Sequence, residues 1–319
     1  MTKEPRLVIH CDGGLANRIN CLVNGLLIAN LWSLDLELVW PINRYCRAEA
    51  SDLLLLDMQP LDKSKNQYCF RSDTGIVASD NFLSISSEFA IDPGTCRSRK
   101  EFIQGLNMLL KTCQRVIIFY PLPLPQFYFD ARRIAKSLSF SPQLTNLALR
   151  EQARLGLKSF WYWGLHLRGT DAKKTNSYYM FFARLCRILP GRSLVLTDDP
   201  DIVKLFSFLS PRVMTRRGIS LVNRSHNGLA WDHASIDENG QKLPYNVNRS
   251  AESVQEALVD LILLSRSISL PTSTSTFLEL SLFLNPVYGG LIGYFFYVRA
   301  KINLQLKSRF PYRNKVFAD

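Results

Sequence analysis

A chain of 319 residues, 47% hydrophobic and 21% charged, has the composition of a folded globular protein, with length enough for two ordinary domains and no sign of wholesale disorder. Its 39 lysines and arginines against 27 acids give a net charge of +12, which favours anionic partners such as nucleoside diphosphates, acidic membrane surfaces or nucleic acid. Seven cysteines, at 11, 21, 46, 69, 96, 113 and 186, are odd in number, widely spaced and without a Cys-x-x-Cys pair, which argues against a zinc ribbon or a disulfide framework and fits reduced thiols in a cytosol.

The chain opens with polar residues, and its first apolar run, Leu7 to Cys11, is too short for a signal-peptide core, so a cytoplasmic location is expected. The sequons Asn223-Arg224-Ser225 and Asn248-Arg249-Ser250 are then read as chance matches. Leu7 to Cys11 reads as a strand, Asp12-Gly13-Gly14 as a turn, and Asn17 to about Trp32 as a helix. Leu36 to Trp40 is a second strand stopped by Pro41, and Arg115 to Tyr120 a later one stopped by Pro121. Prolines at 121, 123 and 125 and a polar stretch at 137–141 precede a helical pattern from Pro142 to about Arg154, and a domain boundary is expected between about 125 and 155. The alternation then resumes. Phe160 to Leu167 reads as a buried strand, Tyr178 to Leu189 as a helix, Ser193 to Thr197 as a strand, and Asp199-Pro200-Asp201 opens another helix. Ser250 caps a helix through about Ser265, followed by a strand at 268–270 and a helix from about Ser275. Leu278 to Val298 is the most membrane-like region, but Glu279, Asn285, Pro286 and Gly289-Gly290 interrupt it, so it reads as a buried helix followed by a turn and a strand. The whole is an α/β protein with parallel, doubly wound sheets.

Three constellations carry chemistry. Gly13-Gly14-Leu15-Ala16-Asn17-Arg18 lies at a strand-to-helix turn, where glycines admit a ligand to the backbone, the helix N-terminus offers N–H groups, and Asn17 and Arg18 add donors. A structural turn alone would also explain the glycines. His166-Leu167-Arg168-Gly169-Thr170-Asp171 ends an apolar run, and the period of two places His166 and Arg168 on one face. An arginine there suits a diphosphate through forked, charge-assisted hydrogen bonds. A buried His–Asp pair with a structural Arg is the bland reading. Thr272-Ser273-Thr274-Ser275-Thr276-Phe277 puts five successive hydroxyls before a helix, more than a cap needs, and forms an anion seat. Asp199 and Asp201 make a literal Asp-x-Asp beside Asp198, but Pro200 marks a helix start, so capping is the expected role and no metal is expected. His226 and His233 flank Trp231-Asp232 in a polar stretch from 223 to 242, which suits an acceptor loop or an ordinary long loop.

In this order the three constellations resemble the fucosyltransferase superfamily that includes the nodulation α1,6-fucosyltransferases, the bacterial α1,2-fucosyltransferases and the protein O-fucosyltransferases. The turn at 13–18 is similar to their N-terminal Gly-rich Asn motif. His166-Leu167-Arg168 with Asp171 is similar to their His-x-Arg motif, whose arginine binds the donor diphosphate. The run from Ala257-Leu258-Val259-Asp260 to Ser275-Thr276-Phe277 is similar to their C-terminal segment, where an Asp reads guanine and a Ser/Thr-rich turn holds phosphate. Two departures, Ala16 in place of a common Gly and a single Arg168 where many relatives add a second basic residue, leave acceptor class and subfamily open.

The resemblance implies a GT-B-like fold of two Rossmann-type domains facing across a cleft, residues 1–140 on the acceptor side and 141–319 binding the donor. It also implies inverting, metal-independent transfer of fucose from GDP-fucose to a glycan hydroxyl, with no cofactor. Donor-binding candidates are then Gly13, Gly14, Asn17, Arg18, His166, Arg168, Asp260, Ser273, Thr274, Ser275, Thr276 and Phe277. Arg168 is the candidate for stabilising the leaving diphosphate, and Asp12 and Asp171 are the motif acids available as a base. The tail from Tyr297 carries Arg299, Lys301, Lys307, Arg309, Arg313 and Lys315 against Asp319, which suits peripheral contact with an anionic membrane. A transferase using another nucleoside diphosphate sugar and a non-catalytic nucleotide-sugar-binding protein are the alternatives. No nucleic-acid-binding module is visible, and the aromatics at 160–163 fall in the apolar strand.

Overall fold

Among the described residues, the alternation of short apolar runs with helical patterns folds as two four-stranded parallel sheets and the helices that connect their strands. The structure, a computed structural model, describes residues 6–11, 13–43, 45–55, 68–71, 99–112, 115–118, 124, 127–167, 175–197, 199–209, 212–216, 249–270, 272, 275–290, 293–295 and 298. The first sheet contains β1 (Arg6–His10), β2 (Asp35–Val39), β3 (Tyr68–Arg71) and β4 (Arg115–Ile118) in the spatial order β3-β2-β1-β4. The second contains β5 (Trp163–Leu167), β6 (Ser193–Thr197), β7 (Val213–Thr215) and β8 (Ile268–Ser269) in the order β7-β6-β5-β8. The helices are α1 (Leu15–Trp32), α2 (Ala50–Leu53), α3 (Arg99–Thr112), α4 (Tyr128–Ser137), α5 (Pro142–Arg154), α6 (Asn176–Ile188), α7 (Pro200–Leu209), α8 (Ala251–Ser265) and α9 (Thr276–Leu284).

The two sheets repeat one topology. In each, the chain steps outward from its first strand to the second and third, then returns to place the fourth on the opposite side of the first. The order therefore reverses between β1 and β4 and again between β5 and β8, and open α/β sheets bind ligands beyond the carboxyl ends of the strands at such a reversal.

Burial explains the helices that flank them. α1 is apolar on nearly every side because β1, β2, α4, α8 and α9 surround it, and it stops at Ser33, whose φ of 51° is a left-handed cap. One continuous core joins α1, β1, β2, α4, α5, α8 and α9 and reaches Leu194 and Leu196 of β6. Leu165 and Leu167 face the other side, in a second cluster with Tyr179, Phe182, Ile202 and Phe206 of α6 and α7. Strand alternation then turns His166 and Gly164 toward α8 and α9. Gly164 has to be glycine, because a Cβ there would lie 2.1 Å from Ser267 Oγ in the tight turn between α8 and β8.

Several boundaries differ from the sequence reading. β5 begins at Trp163, since Phe160 takes a φ of 62° and Trp161 is 72% exposed, so the first three residues of that run form a turn. The strand expected after α9 is absent among the described residues: 286–290 are turns and 293–295 helical, as the prolyl and glycyl positions there favour. α2, α3, α4, β3 and β7 had no sequence assignment. The edge strands are too short for a period to register, and α2 is a single turn. Cys11, Cys21, Cys46 and Cys186 are buried as thiols, outside any disulfide among the described residues. Among the described residues no helix is long and apolar enough to cross a membrane.

Candidate functional site

The reversal point of the second sheet gathers the polar residues that end β5 and follow β8. His166, on the last turn of pleat in β5, stacks its ring on Phe277 at 4.7 Å between centroids and 28° between planes. Its Nδ1 lies 3.3 Å from Ser275 Oγ, and its carbonyl accepts a 2.6 Å hydrogen bond from Thr272 Oγ1. Tyr178, on α6, donates its hydroxyl to the Thr272 carbonyl. Ser275 is also the N-cap of α9, accepting from Leu278 N at 3.3 Å, so the same hydroxyl holds the helix start and the imidazole. Thr276 is the first residue of α9. The first-turn N–H groups of that helix and its dipole make this end attractive to an anion. Residues 109 apart in sequence thus meet because β5 and β8 are adjacent strands.

Arg168, Asp171, Ser273 and Thr274 lie outside the described residues, as do Asp12, Asp198, His226 and His233. Asp199 accepts a 2.8 Å hydrogen bond from Asp201 N and caps α7.

The reversal point of the first sheet is organised differently. Gly13 turns with a φ of 80°, and Gly14 in extended conformation opens α1. Arg18 is 0% exposed: its Nε donates to Gly13 O at 2.7 Å, Nη1 to Pro41 O at 2.7 Å and Nη2 to Asn43 Oδ1 at 3.0 Å, with the guanidinium 5.2 Å from the Trp40 ring. This corrects the expectation that Arg18 meets a diphosphate. Its donors are engaged inside the protein, where the planar fork ties the turn after β1 to the loop after β2. Asn17 stays closer to the surface, and its buried Oδ1 has no hydrogen-bond partner among the described residues.

Asp260 sits on α8 with its Oδ1 2.5 Å from Nη1 of Arg216, which follows β7. Arg216 also donates to the Glu256 carboxylate and, at 3.2 Å, to the Glu256 carbonyl, while Glu151 of α5 lies 3.9 Å from its Nε. Burial pushes the Asp260 carboxyl up to about 6, although Arg216 pulls the other way. The buried guanidinium is in turn raised by Asp260 and Glu256 against the effect of burial. Sequence reasoning missed this network. Glu256 stands one turn before Asp260, a readable spacing, but Arg216 is 44 residues away and only the sheet brings it close.

Two further groups escaped the sequence reading. Tyr128 of α4 packs edge-on against Phe283 of α9 with 5.2 Å between centroids, and its hydroxyl donates to Gly289 O at 3.2 Å. Glu279, in the first turn of α9, is close enough for its charge to raise the Tyr128 phenol. Burial alone pushes the Glu279 carboxyl up to about 7.

No protein-family model matches this chain, and no curated protein does. Solved structures do. The NodZ α-1,6-fucosyltransferase co-crystallised with GDP is 14% identical, with 89% of this chain and 94% of that one covered at a TM-score of 0.52. The same enzyme soaked with GDP-fucose matches at 14% identity over the same shares, 89% and 94%, with a TM-score of 0.51. The fucosyltransferase NodZ from Bradyrhizobium gives 13% identity, 89% and 94% coverage, and a TM-score of 0.53. At that identity the likeness concerns the backbone, and it establishes that this chain is built on the α/β fold seen in the fucosyltransferase NodZ.

Proposed function

We propose that the protein is a glycosyltransferase that moves fucose from GDP-fucose to a glycan hydroxyl with inversion and without a metal. The observation that carries this reading is the cluster of His166, Thr272, Ser275 and Phe277 at the reversal point of the second sheet. It lies in a fold shared with an enzyme crystallised with GDP and soaked with GDP-fucose. The repeated strand order supports a GT-B division into two Rossmann-type halves. We place the boundary at 140/141, beside the Ser141 cap of α5, because α5 packs on α8 of the second half.

In this mechanism the anomeric carbon gains positive character as negative charge builds on the departing diphosphate. Arg168 and the 272–276 turn with the α9 N-terminus stabilise that charge, a contribution of about 3–4 kcal/mol for one well-placed donor. His166, ordered by Ser275 and Phe277, lines the same end. Asp260 reads guanine while Arg216 holds its Oδ1. Asp12 and Asp171 remain motif acids for proton removal.

The cytoplasmic face of an anionic membrane is the proposed location. Phe129, Val287 and Phe295 are 57%, 57% and 68% exposed, Tyr294 stacks on Phe129, and the cationic tail follows directly in sequence. Interfacial aromatics beside cations suit such a surface. Sedimentation with vesicles containing phosphatidylglycerol, and not with purely zwitterionic ones, is the expected result.

The donor assignment is tested by calorimetric titration with GDP, GDP-fucose, GDP-mannose and UDP-sugars, with and without magnesium, on the wild type and Arg168→Ala. Metal-independent preference for GDP-fucose that collapses in the variant is expected. A preference for another nucleotide sugar favours the second transferase reading. Binding without turnover on any acceptor favours a binding protein. No guanine-nucleotide binding by folded protein overturns the assignment.

A further inference from the structure

The edge of the second sheet opposite the His166 cluster is formed by the turns that lead into β5, β6, β7 and β8. Their sequences, 155–162, 187–192, 207–212 and 266–267, carry Lys158, Arg187, Arg192, Arg212 and Arg266 and contain no Asp or Glu. Segment 285–295, which follows α9, has no acid either. The strands are parallel, so these turns lie side by side, and hydrogen bonds lace them together. Trp163 N donates to Arg192 O at 3.0 Å and its indole N–H to Pro190 O at 2.9 Å, while Ser193 N donates to Arg212 O at 3.0 Å. Phe160 N donates to Arg266 O at 2.7 Å, Asn285 Nδ2 to Ser267 O at 2.8 Å, and the Tyr288 hydroxyl to Phe160 O at 3.4 Å. The result is one cationic surface of fixed geometry. Arg192 and Arg266 are anchored within it, to Leu155 O at 2.5 Å and Gln152 Oε1 at 3.0 Å, whereas the side chains of Lys158, Arg187 and Arg212 are exposed.

Large apolar side chains stand out of the same edge. Trp161, on the turn that Phe160 enters with a φ of 62°, is 72% exposed; Ile188, the last residue of α6, is 76% exposed; and Phe208, in the last turn of α7, is 88% exposed. Lys158 Nζ lies 5.5 Å from the centre of the Trp161 ring. One exposed apolar residue is ordinary, and cations alone serve solubility, but the two together on an acid-free edge have the composition of a bilayer interface. There the indole sits at the headgroup level, aliphatic groups reach the acyl boundary, and cations meet lipid phosphates. A nucleic acid would use the cations but offers no apolar phase to Ile188. We infer that the amino-terminal edge of the second sheet is the face that docks on an anionic lipid bilayer, with Trp161, Ile188 and Phe208 entering the interface and Lys158, Arg187 and Arg212 meeting lipid phosphates. The inference rests on the membrane location proposed above and names its docking face. Tyr288 joins that face to the segment bearing Val287, Tyr294 and Phe295. The His166 cluster lies at the opposite ends of the same strands, so docking leaves it turned away from the lipid.

The test is co-sedimentation of the full chain with vesicles of equal parts phosphatidylglycerol and phosphatidylcholine, against vesicles of phosphatidylcholine alone. Wild type is compared with Trp161→Ser/Ile188→Ser/Phe208→Ser, with Lys158→Glu/Arg187→Glu, and with Phe129→Ser/Phe295→Ser, each checked for folding by thermal unfolding. Partition onto the anionic vesicles should fall about tenfold or more in each of the first two variants. A second measurement needs no destabilising change: brominated lipid should quench part of the wild-type tryptophan fluorescence, and that part should vanish in Trp161→Phe. Wild type that sediments with anionic vesicles while both edge variants do so equally well, or quenching that persists in Trp161→Phe, overturns the docking face. Loss of binding confined to Phe129→Ser/Phe295→Ser does the same and leaves the membrane location standing. Wild type that sediments with neither vesicle overturns the location itself, and if it instead binds an oligonucleotide in a salt-dependent way, the edge is a nucleic-acid surface.

Discussion

The two reversal points of this molecule have the same strand order and opposite wiring. At the first, the polar side chain with the greatest binding capacity, Arg18, is turned inward and joins the turn after β1 to the loop after β2. At the second, Thr272 and Ser275 both contact His166 where β5 and β8 end, beside the start of α9. One scaffold used twice therefore yields an arginine locked inward in one half and a polar cluster around His166 in the other. An arginine in a glycine-rich motif is a binding group only if its fork is left free by the fold.

The sharpest way to break this comparison is to remove Arg18. Arg18→Met should leave the carbonyls of Gly13 and Pro41 buried without donors and destabilise by about 3–5 kcal/mol, read as a drop in urea midpoint. GDP affinity per folded molecule should change less than threefold. His166→Ala should do the reverse, costing about 1 kcal/mol of stability while lowering GDP affinity at least tenfold. Equal loss of binding in both variants would erase the distinction between the two turns.

Gly164→Ala tests how tightly the second turn is built. The added Cβ would meet Ser267 Oγ at 2.1 Å, so a loss of about 2–3 kcal/mol is expected in thermal unfolding. Glu279 sharpens the comparison through pH. Its folded pKa of about 7 stands above the unfolded value of 4.5, so its ionisation favours the unfolded chain. The stability it confers is present below pH 4.5 and lost as pH rises through 7, and wild type should lose on the order of 1–3 kcal/mol relative to Glu279→Gln between pH 5 and 8 in urea titrations. The smallest effect belongs to Ser275→Ala. Loss of the α9 cap costs about 1 kcal/mol, and GDP affinity should fall a few-fold because His166 loses its partner.

Local patterns made much of this legible. β1, β6 and α8 stood out because apolar periodicity and caps such as Ser250 are set by residues within one turn or pleat. The start of β5 was misread because an apolar run does not reveal where the backbone takes a positive φ, as at Phe160. α4 was missed although it supplies Tyr128, since its start is signalled by no side-chain cap. Asp260 was visible in its motif, whereas Arg216, which fixes its orientation, was not.

The sequence by itself determined the α/β class and the alternation of the strands and helices it registered, β1, α1, β2, β4, α5 and β5 to α9 without β7, because these follow from periodicity and from the chemistry of neighbouring residues. Only the tertiary structure decided that Arg18 is internal, that His166 meets Ser275 and Phe277, that Arg216 clamps Asp260, and that Glu279 acts on the Tyr128 phenol of α4. Each of those facts depends on which strands become neighbours and how much water the packing leaves, and no local window of sequence encodes either.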